Sequence, residues 1–317
     1  MIKILCLGEA LIDMICTDKG SPLHDGVNFV KKSGGAPTNV AAAIAALGGL
    51  VSLSAKVGRD PFGKHLIDIL QTFGVDSRYI LEDKDHFTTF AFVSLMANGE
   101  RDFYFNRGAD GYLNKAEVDE LPVNEYGVVH FGSATAFLAG DLNEAYHHLL
   151  ELSLHRNRFI SFDPNYRQLL FGDKPGRFKQ QSWEFIAACN FLKVSDEEAT
   201  LLTGHADMTE AIQAFRQRTS AVVAITMGKE GTLLGHPEGI FVVPSIAITP
   251  VDTTGAGDAF VGAVLYQVSQ LLETKSLLTL AEWQNIIYQA NKAGARTCEY
   301  LGAMEAFKHL HAGIFSN

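Results

Sequence analysis

The chain has 317 residues, 47% of them apolar and 20% charged, which is enough for one large α/β domain or two ordinary ones. This composition excludes a disordered chain, a collagen-like chain and a small disulfide scaffold. With 26 Lys and Arg against 36 Asp and Glu the formal charge is -10, and that acidic balance argues against nucleic acid or an anionic membrane as partner.

In chain order, Lys3–Leu7 reads as a buried strand, Val40–Leu47 as a helix ended by Gly48-Gly49, and Val51–Ala55 as the next strand. Phe62–Phe73 has helical spacing and stops at Gly74. Thr88–Asn106 reads as two β-runs around Asn98-Gly99, a hairpin dipeptide. Strands then alternate with helices: Val128–Phe131, Asn143–His155, Phe159–Phe162, Phe178–Ala188, Phe191–Val194, helices near Glu197–Leu202 and Thr209–Gln217, and Val222–Thr226. Gly231–Leu234 and Ile240–Val243 look like an antiparallel pair, and from Gly257 almost everything is helical. Such alternation implies a doubly wound, mostly parallel sheet with helices on both faces. One α/β domain over 1–317 is expected, carrying a small β-sheet lid built from roughly 14–32 and 87–107. The uncharged span Ser33–Ala55 is long enough to cross a membrane, but its alanines, serines, Gly pairs and Pro37 favour a small-residue helix inside a domain. The four cysteines (Cys6, Cys16, Cys189, Cys298) show no CxxC spacing and no targeting segment is visible, so a cytoplasmic setting is expected.

Three glycine-rich segments are candidates for holding an anion. Gly58 to His65 fits GxxxxGK, but His65 stands where the magnesium-binding hydroxyl belongs and Pro61 removes an amide, so a turn into a helix is expected. Asp252-Thr-Thr254-Gly255-Ala256-Gly257-Asp258 follows an extended stretch, Ile246–Val251, and opens a helix. As a dinucleotide fingerprint it fails at Phe260. Its small residues let main-chain amides converge on an anion at the helix's positive end, with Asp258 placed as a base or simply as a cap. Gly34-Gly35-Ala36-Pro37-Thr38-Asn39 is either a ligand loop or a tight turn and cap.

The last two segments together resemble the two signatures of the ribokinase/PfkB family of carbohydrate kinases, and within it the bacterial fructokinase branch. Gly8-Glu9…Asp13, Val57-Gly58-x-Asp60-x-x-Gly63, Asp163-Pro-Asn165-Tyr-Arg167, Lys193-Val-Ser195-Asp-Glu-Glu198 and Thr226-Met-Gly228-x-x-Gly231 fall in family order around them. The resemblance implies a ribokinase-like fold and transfer of the γ-phosphoryl group of ATP to a primary hydroxyl of a sugar. It implies Asp258 as base, Gly255, Ala256 and Gly257 as anion hole, and Arg167 facing the substrate or the transferred group. Asp13, Gly34, Gly35 and Asn39 match sugar-binding positions, with Arg107 as a candidate arm from the lid. Lys193, Ser195, Thr226, Gly228, Gly231 and Asn291 match the nucleotide region. Glu198 matches a carboxylate acting on Mg2+ through water, and Asp252 and Thr254 match ligands of a monovalent cation, usually potassium. Three positions depart from the family pattern: Ser195 stands where Asn is frequent, Phe105 where many fructokinases have Arg, and Leu301–Ala306 lacks the usual proline. A 2-keto-3-deoxygluconate kinase, a ribokinase or nucleoside kinase, and a catalytically silent sugar-sensing regulator are the alternatives. The resemblance and the aromatic run Phe103-Tyr104-Phe105 suggest a homodimer through the lid.

Overall fold

The computed structural model describes residues 1–96, 101–172 and 175–316, so the Asn98-Gly99 turn lies outside the described residues. The strands are β1 (Lys3–Leu7), β2 (Leu11–Cys16), β3 (Phe29–Gly34), β4 (Val51–Gly58), β5 (Ile80–Asp83), β6 (Phe90–Leu95), β7 (Arg101–Asn106), β8 (Tyr126–Phe131), β9 (Phe159–Phe162), β10 (Phe191–Ser195), β11 (Val222–Thr226), β12 (Thr232–His236) and β13 (Gly239–Val243).

The large sheet runs β13-β12-β11-β10-β9-β8-β1-β4-β5, parallel from β11 to β5, with β12 and β13 antiparallel at one edge. Its strands are apolar on both faces: Ile4 and Cys6 of β1 enter one core, Leu5 and Leu7 the other. Helices Ala36–Ala46, Pro61–Phe73, Ala256–Leu271 and Leu280–Thr297 cover the first face. Helices Asp141–His155, Gly176–Ala188, Asp196–Thr203 and Met208–Arg216 cover the second. Because β1 pairs with β4 on one side and β8 on the other, the winding direction reverses there. A ligand crevice is expected at the carboxyl ends of those strands.

The small sheet has the order β3-β2-β6-β7. It begins earlier and ends later in its first piece than the expected 14–32, because the ladder pairs Leu11 with Gly34. Asp13 lies opposite Lys32 and beside Ala91, so these three share one face. The membrane-length span Ser33–Ala55 resolves into the end of β3, a buried helix and most of β4. Among the described residues no helix is long and apolar enough to cross a membrane. The GxxxxGK segment is a helix start: Asp60 caps the amides of Phe62 and Gly63 at 2.9 Å, and Lys64 pairs outward with Asp68. Ile246–Val251 joins no ladder; its last amide bonds to the Cys298 carbonyl at 2.7 Å.

Two helices approach each other closely on the first face. A β-carbon at Gly262 would lie 2.7 Å from Ala43 Cβ, inside van der Waals contact, so only glycine lets Ala256–Leu271 settle against Ala36–Ala46. Gly262→Val is expected to lower stability by about 1–3 kcal/mol through overpacking, read as a drop in the urea midpoint.

Candidate active site

One helical turn before Gly262 stands Asp258, and one turn before Ala43 stands Asn39. The contact below sets the contact above: Asn39 Nδ2 donates to Asp258 Oδ2 at 2.8 Å, joining segments 219 residues apart. Both helices begin at a glycine with positive φ, Gly35 at 101° and Gly255 at 82°, so neither N-cap residue offers a side chain; Glu9 instead accepts from Ala36 N at the first start. Ala256 N already donates to the Thr253 carbonyl at 3.2 Å, which leaves the Gly257 and Asp258 amides without a main-chain acceptor among the described residues, at the positive end of a 16-residue helix. Asp258 is not that helix's cap, since the hydrogen bond of its carboxylate goes to the neighbouring helix. Asn39 Oδ1 is buried without a hydrogen-bond partner among the described residues. Leaving such an acceptor unmet costs roughly 1–3 kcal/mol, which a hydroxyl donor from a ligand would recover.

Two carboxyls line this cleft. Desolvation pushes Asp258 up to about 6, against the opposing pull of Asn39, Arg167 and Lys193. Desolvation also pushes Asp13 up to about 6, partly offset by Arg167. Asp13 is seated by Gly34, where a β-carbon would fall 2.1 Å from Asp13 Oδ2. Arg167 is exposed, its Nη1 3.1 Å from the Tyr166 carbonyl, and its charge bears on both acids. Just past the end of β9 lies the buried Asp163, which accepts from Asn165 N at 3.2 Å and pairs with Lys193 Nζ at 2.9 Å. Lys193 Nζ lies 3.2 Å from where a Gly257 β-carbon would be, beside the anion hole. Burial alone would lower the Lys193 ammonium, but Asp163, Glu198 and Asp258 outweigh it and hold its pKa above the usual range.

The remaining residues expected on the nucleotide side are placed around β10 to β13. Ser195 and Glu198 form a capping box: Ser195 Oγ accepts from Glu198 N at 3.1 Å and Glu198 Oε2 from Ser195 N at 2.8 Å. Glu198 Oε1 also accepts from Tyr166 N at 2.8 Å, tying the Asp163–Arg167 loop to the same carboxylate. Thr226 ends β11, and Gly228 and Gly231 bracket the turn to β12 with positive φ. Asn291 is buried and fully engaged, accepting from Thr232 Oγ1 at 2.6 Å and donating to the carbonyls of Val243 and Pro244. Arg107 gives Nη1 and Nη2 to the carbonyls of Ala139 and Thr135, while its buried Nε, 3.5 Å from Asp110, has no hydrogen-bond partner among the described residues. Asp252 Oδ1 accepts from Thr254 N and Oγ1, and its Oδ2 from Gly302 N.

Beneath the cleft lies a network that the motifs do not reveal. Glu9, just past β1, accepts from Ser133 Oγ, from Ala36 N at 3.1 Å, and from Thr135 Oγ1 at 3.4 Å; Thr135 also reaches Asp110 at 2.9 Å. Burial pushes the Glu9 carboxyl up, with its hydrogen-bond donors working against that. It fixes the loop that begins the Asn39 helix to the loop after β8. The signal in the sequence is an acid directly after a buried strand.

The fold, with an open helix start beside a raised carboxyl at the sheet's switch point, defines an enzyme that moves phosphoryl groups onto carbohydrate hydroxyls. The pfkB family carbohydrate kinase model matches residues 1–309, and the chain belongs to that family. It is 35% identical to fructokinase-1 of Oryza sativa subsp. japonica over 306 residues, 95% of this chain and 93% of the relative. A fructokinase of Vibrio cholerae, solved with fructose, ADP and calcium, superposes with a TM-score of 0.84 at 28% identity, covering 100% of this chain and 98% of that one. A sugar kinase of Pyrococcus horikoshii solved with ATP gives 0.81 at 31% identity, covering 95% and 94%.

Both raised acids lose their charge as pH drops through about 6, and kcat/KM is expected to fall over the same range with one or two protons' worth of slope. Steady-state ADP release from about pH 5 to 8 measures this; a flat profile down to about pH 5 would remove both groups from the chemistry.

Proposed function

We propose that the chain is an ATP-dependent fructokinase that phosphorylates a primary hydroxyl of the neutral sugar. The observation that carries it is the Asn39–Asp258 hydrogen bond, which sets a sugar-reading amide and a raised carboxyl side by side at an uncapped helix start. Asp258 takes the proton of the attacking hydroxyl, and the amides at Gly255 and Gly257 stabilise charge on the transferred group, the expected third donor, Ala256 N, being taken by the Thr253 carbonyl. Asp13, Asn39 and the Gly34-Gly35 backbone read the sugar hydroxyls, while Arg167 faces the anion from the solvent side. Lys193, Thr226 and the Gly228–Gly231 turn line the nucleotide side, with Ser195 and Asn291 shaping it through the cap and clamp they form. The names of the relatives support fructose, and the engagement of Arg107 within the protein favours a neutral sugar over a sugar acid.

Among the described residues no cluster of three or more His, Cys, Asp or Glu gathers as a metal cage. That suits Mg2+, which keeps its waters and takes phosphate oxygens. Glu198 fits as its partner through water, because each carboxylate oxygen that accepts one amide keeps a second lone pair. When bound, the ion neutralises phosphate charge. Asp252 Oδ1 is taken up by Thr254, but its Oδ2 accepts only from Gly302 N among the described residues and keeps a lone pair that would suit an added monovalent cation beside Thr254.

The test is ADP release with fructose, ribose, 2-keto-3-deoxygluconate and adenosine. Fructose should give the highest kcat/KM; binding without ADP release from any of them would favour the silent regulator. Asp258→Asn should lower kcat by roughly two to four orders of magnitude with little change in sugar KM. Because the native pKa of Asp258 lies above its unfolded value, the charged acid is a stability liability above about pH 6. The Asn variant should therefore melt no lower than the parent at neutral pH.

A homodimer through the small sheet is part of this reading. Ile15 and Val30 are cross-strand partners, 40% and 43% exposed on the Asp13 face, and a second copy would cover them. Sedimentation should show a dimer that Val30→Asp dissociates.

A further inference from the structure

Among the described residues two non-glycines have positive φ, Asn157 and Asn165, both at 51°. Asn157 stands just past the helix Asp141–His155, where a left-handed residue ordinarily ends a helix. No helix ends at Asn165. It lies in the buried turn Asp163-Pro164-Asn165 after β9, and left-handed backbone there persists only because its surroundings hold it.

Those surroundings are the ends of β8 and β10, the two neighbours of β9 in the sheet. Toward β8, Asp163 N donates to the Phe131 carbonyl at 2.9 Å and Asn165 Nδ2 to the Gly132 carbonyl at 3.1 Å. Asp163 Oδ1 closes the turn by accepting from Asn165 N at 3.2 Å, and Pro164 brings no amide that would need a partner. Toward β10, Asp163 Oδ2 pairs with Lys193 Nζ at 2.9 Å, and Tyr166 N donates to Glu198 Oε1 at 2.8 Å. The turn therefore grips an ammonium beside Gly257 and a carboxylate in the first turn of Asp196–Thr203 at the same time. The dihedrals at 165 set the direction of the Tyr166 amide relative to Asp163, so a right-handed or extended residue would break one grip to keep the other.

We propose that Asn165 is a positioning residue for phosphoryl transfer, whose left-handed backbone fixes Lys193 and Glu198 in one geometry at the end of β10. The inference rests on the kinase reading above and deepens it: Asn165 acts through the two groups that its turn holds, and its amide clamp on Gly132 is secondary to its backbone.

The experiment compares Asn165→Gly, which keeps left-handed backbone and loses the clamp, with Asn165→Ala, which loses the clamp and resists the backbone. One strained alanine is a small charge against the stability of a whole domain, and thermal unfolding of both variants checks that they are folded at the assay temperature. ADP release is measured with fructose and MgATP. Asn165→Gly should keep kcat within about threefold of the parent, and Asn165→Ala should lose about tenfold or more, with fructose KM within about twofold in both. MgADP supplies a readout apart from turnover: the rise it produces in the unfolding midpoint should be smaller in Asn165→Ala than in the parent and in Asn165→Gly. Equal losses of kcat in the two variants would overturn the proposal by assigning the effect to the side chain, as would parental kcat in Asn165→Ala. A fructose KM that rises in step with the loss of kcat would also overturn it, marking a general loosening of the cleft, and so would an undiminished response of Asn165→Ala to MgADP. Each of these outcomes leaves the kinase reading standing, whereas no ADP release from the parent would fall on that reading first.

Discussion

Everything in the cleft depends on how near two helices can come. Gly262 and Ala43 remove the side-chain bulk between Ala256–Leu271 and Ala36–Ala46, and one turn away that closeness becomes the Asn39–Asp258 hydrogen bond. The helix start after Gly255 then opens into the same space with its Gly257 and Asp258 amides unpaired by main chain among the described residues. Main-chain donors, an amide and a carboxylate are oriented by packing that exists before any ligand arrives, the preorganisation on which electrostatic catalysis relies.

The same preorganisation has an electrostatic cost. Asp258, Asp13 and Glu9 are carboxyls whose surroundings disfavour their charge, and their pKa values rise accordingly. Hydrogen-bond donors temper this at Glu9, while the positive charges at the cleft come from separate elements: Lys193 of β10 acts on Asp258, and Arg167 from the loop after β9 on Asp258 and Asp13. Asp163 secures Lys193, and Glu198 holds the amides of Ser195 and Tyr166, so the cations and their supports form one continuous polar layer along the strand ends. Below it, Glu9 couples the start of the Asn39 helix to the loop after β8.

Much of this was legible as pattern. Strand–helix alternation located the parallel sheet because its strands are apolar on both faces, and the turn glycines ended helices where expected, as at Gly74. Ile80–Asp83 escaped notice because an edge strand of four residues carries too little periodicity. Ile246–Val251 reads as extended from its apolar and β-branched residues, yet no neighbour offers it a ladder. Ser195-Asp-Glu-Glu198 displays the spacing of a capping box, and the structure uses it as one; a ligand-centred reading passes over that local role. Arg107 and Asn291 look available in one dimension and are engaged in three, because the carbonyls that take their donors come from distant loops. Gly262 could not be singled out, since its meaning lies in a partner, Ala43, that no spacing rule connects to it.

Asp60 is the counterpart of the cleft acids. One carboxylate accepts from Phe62 N, Gly63 N, Thr88 N and Thr88 Oγ1, pinning the start of the hairpin of β6 and β7 to the helix Pro61–Phe73. Burial works against its charge, but these donors prevail and hold it below the ordinary carboxylate range, so this fastening weakens only in stronger acid. Acidification consequently reaches the two kinds of group in sequence. Asp258 and Asp13 take up protons first while the clasp at Asp60 is still ionised, leaving an interval in which the cleft has shed its negative charge yet the architecture is whole and base restores it.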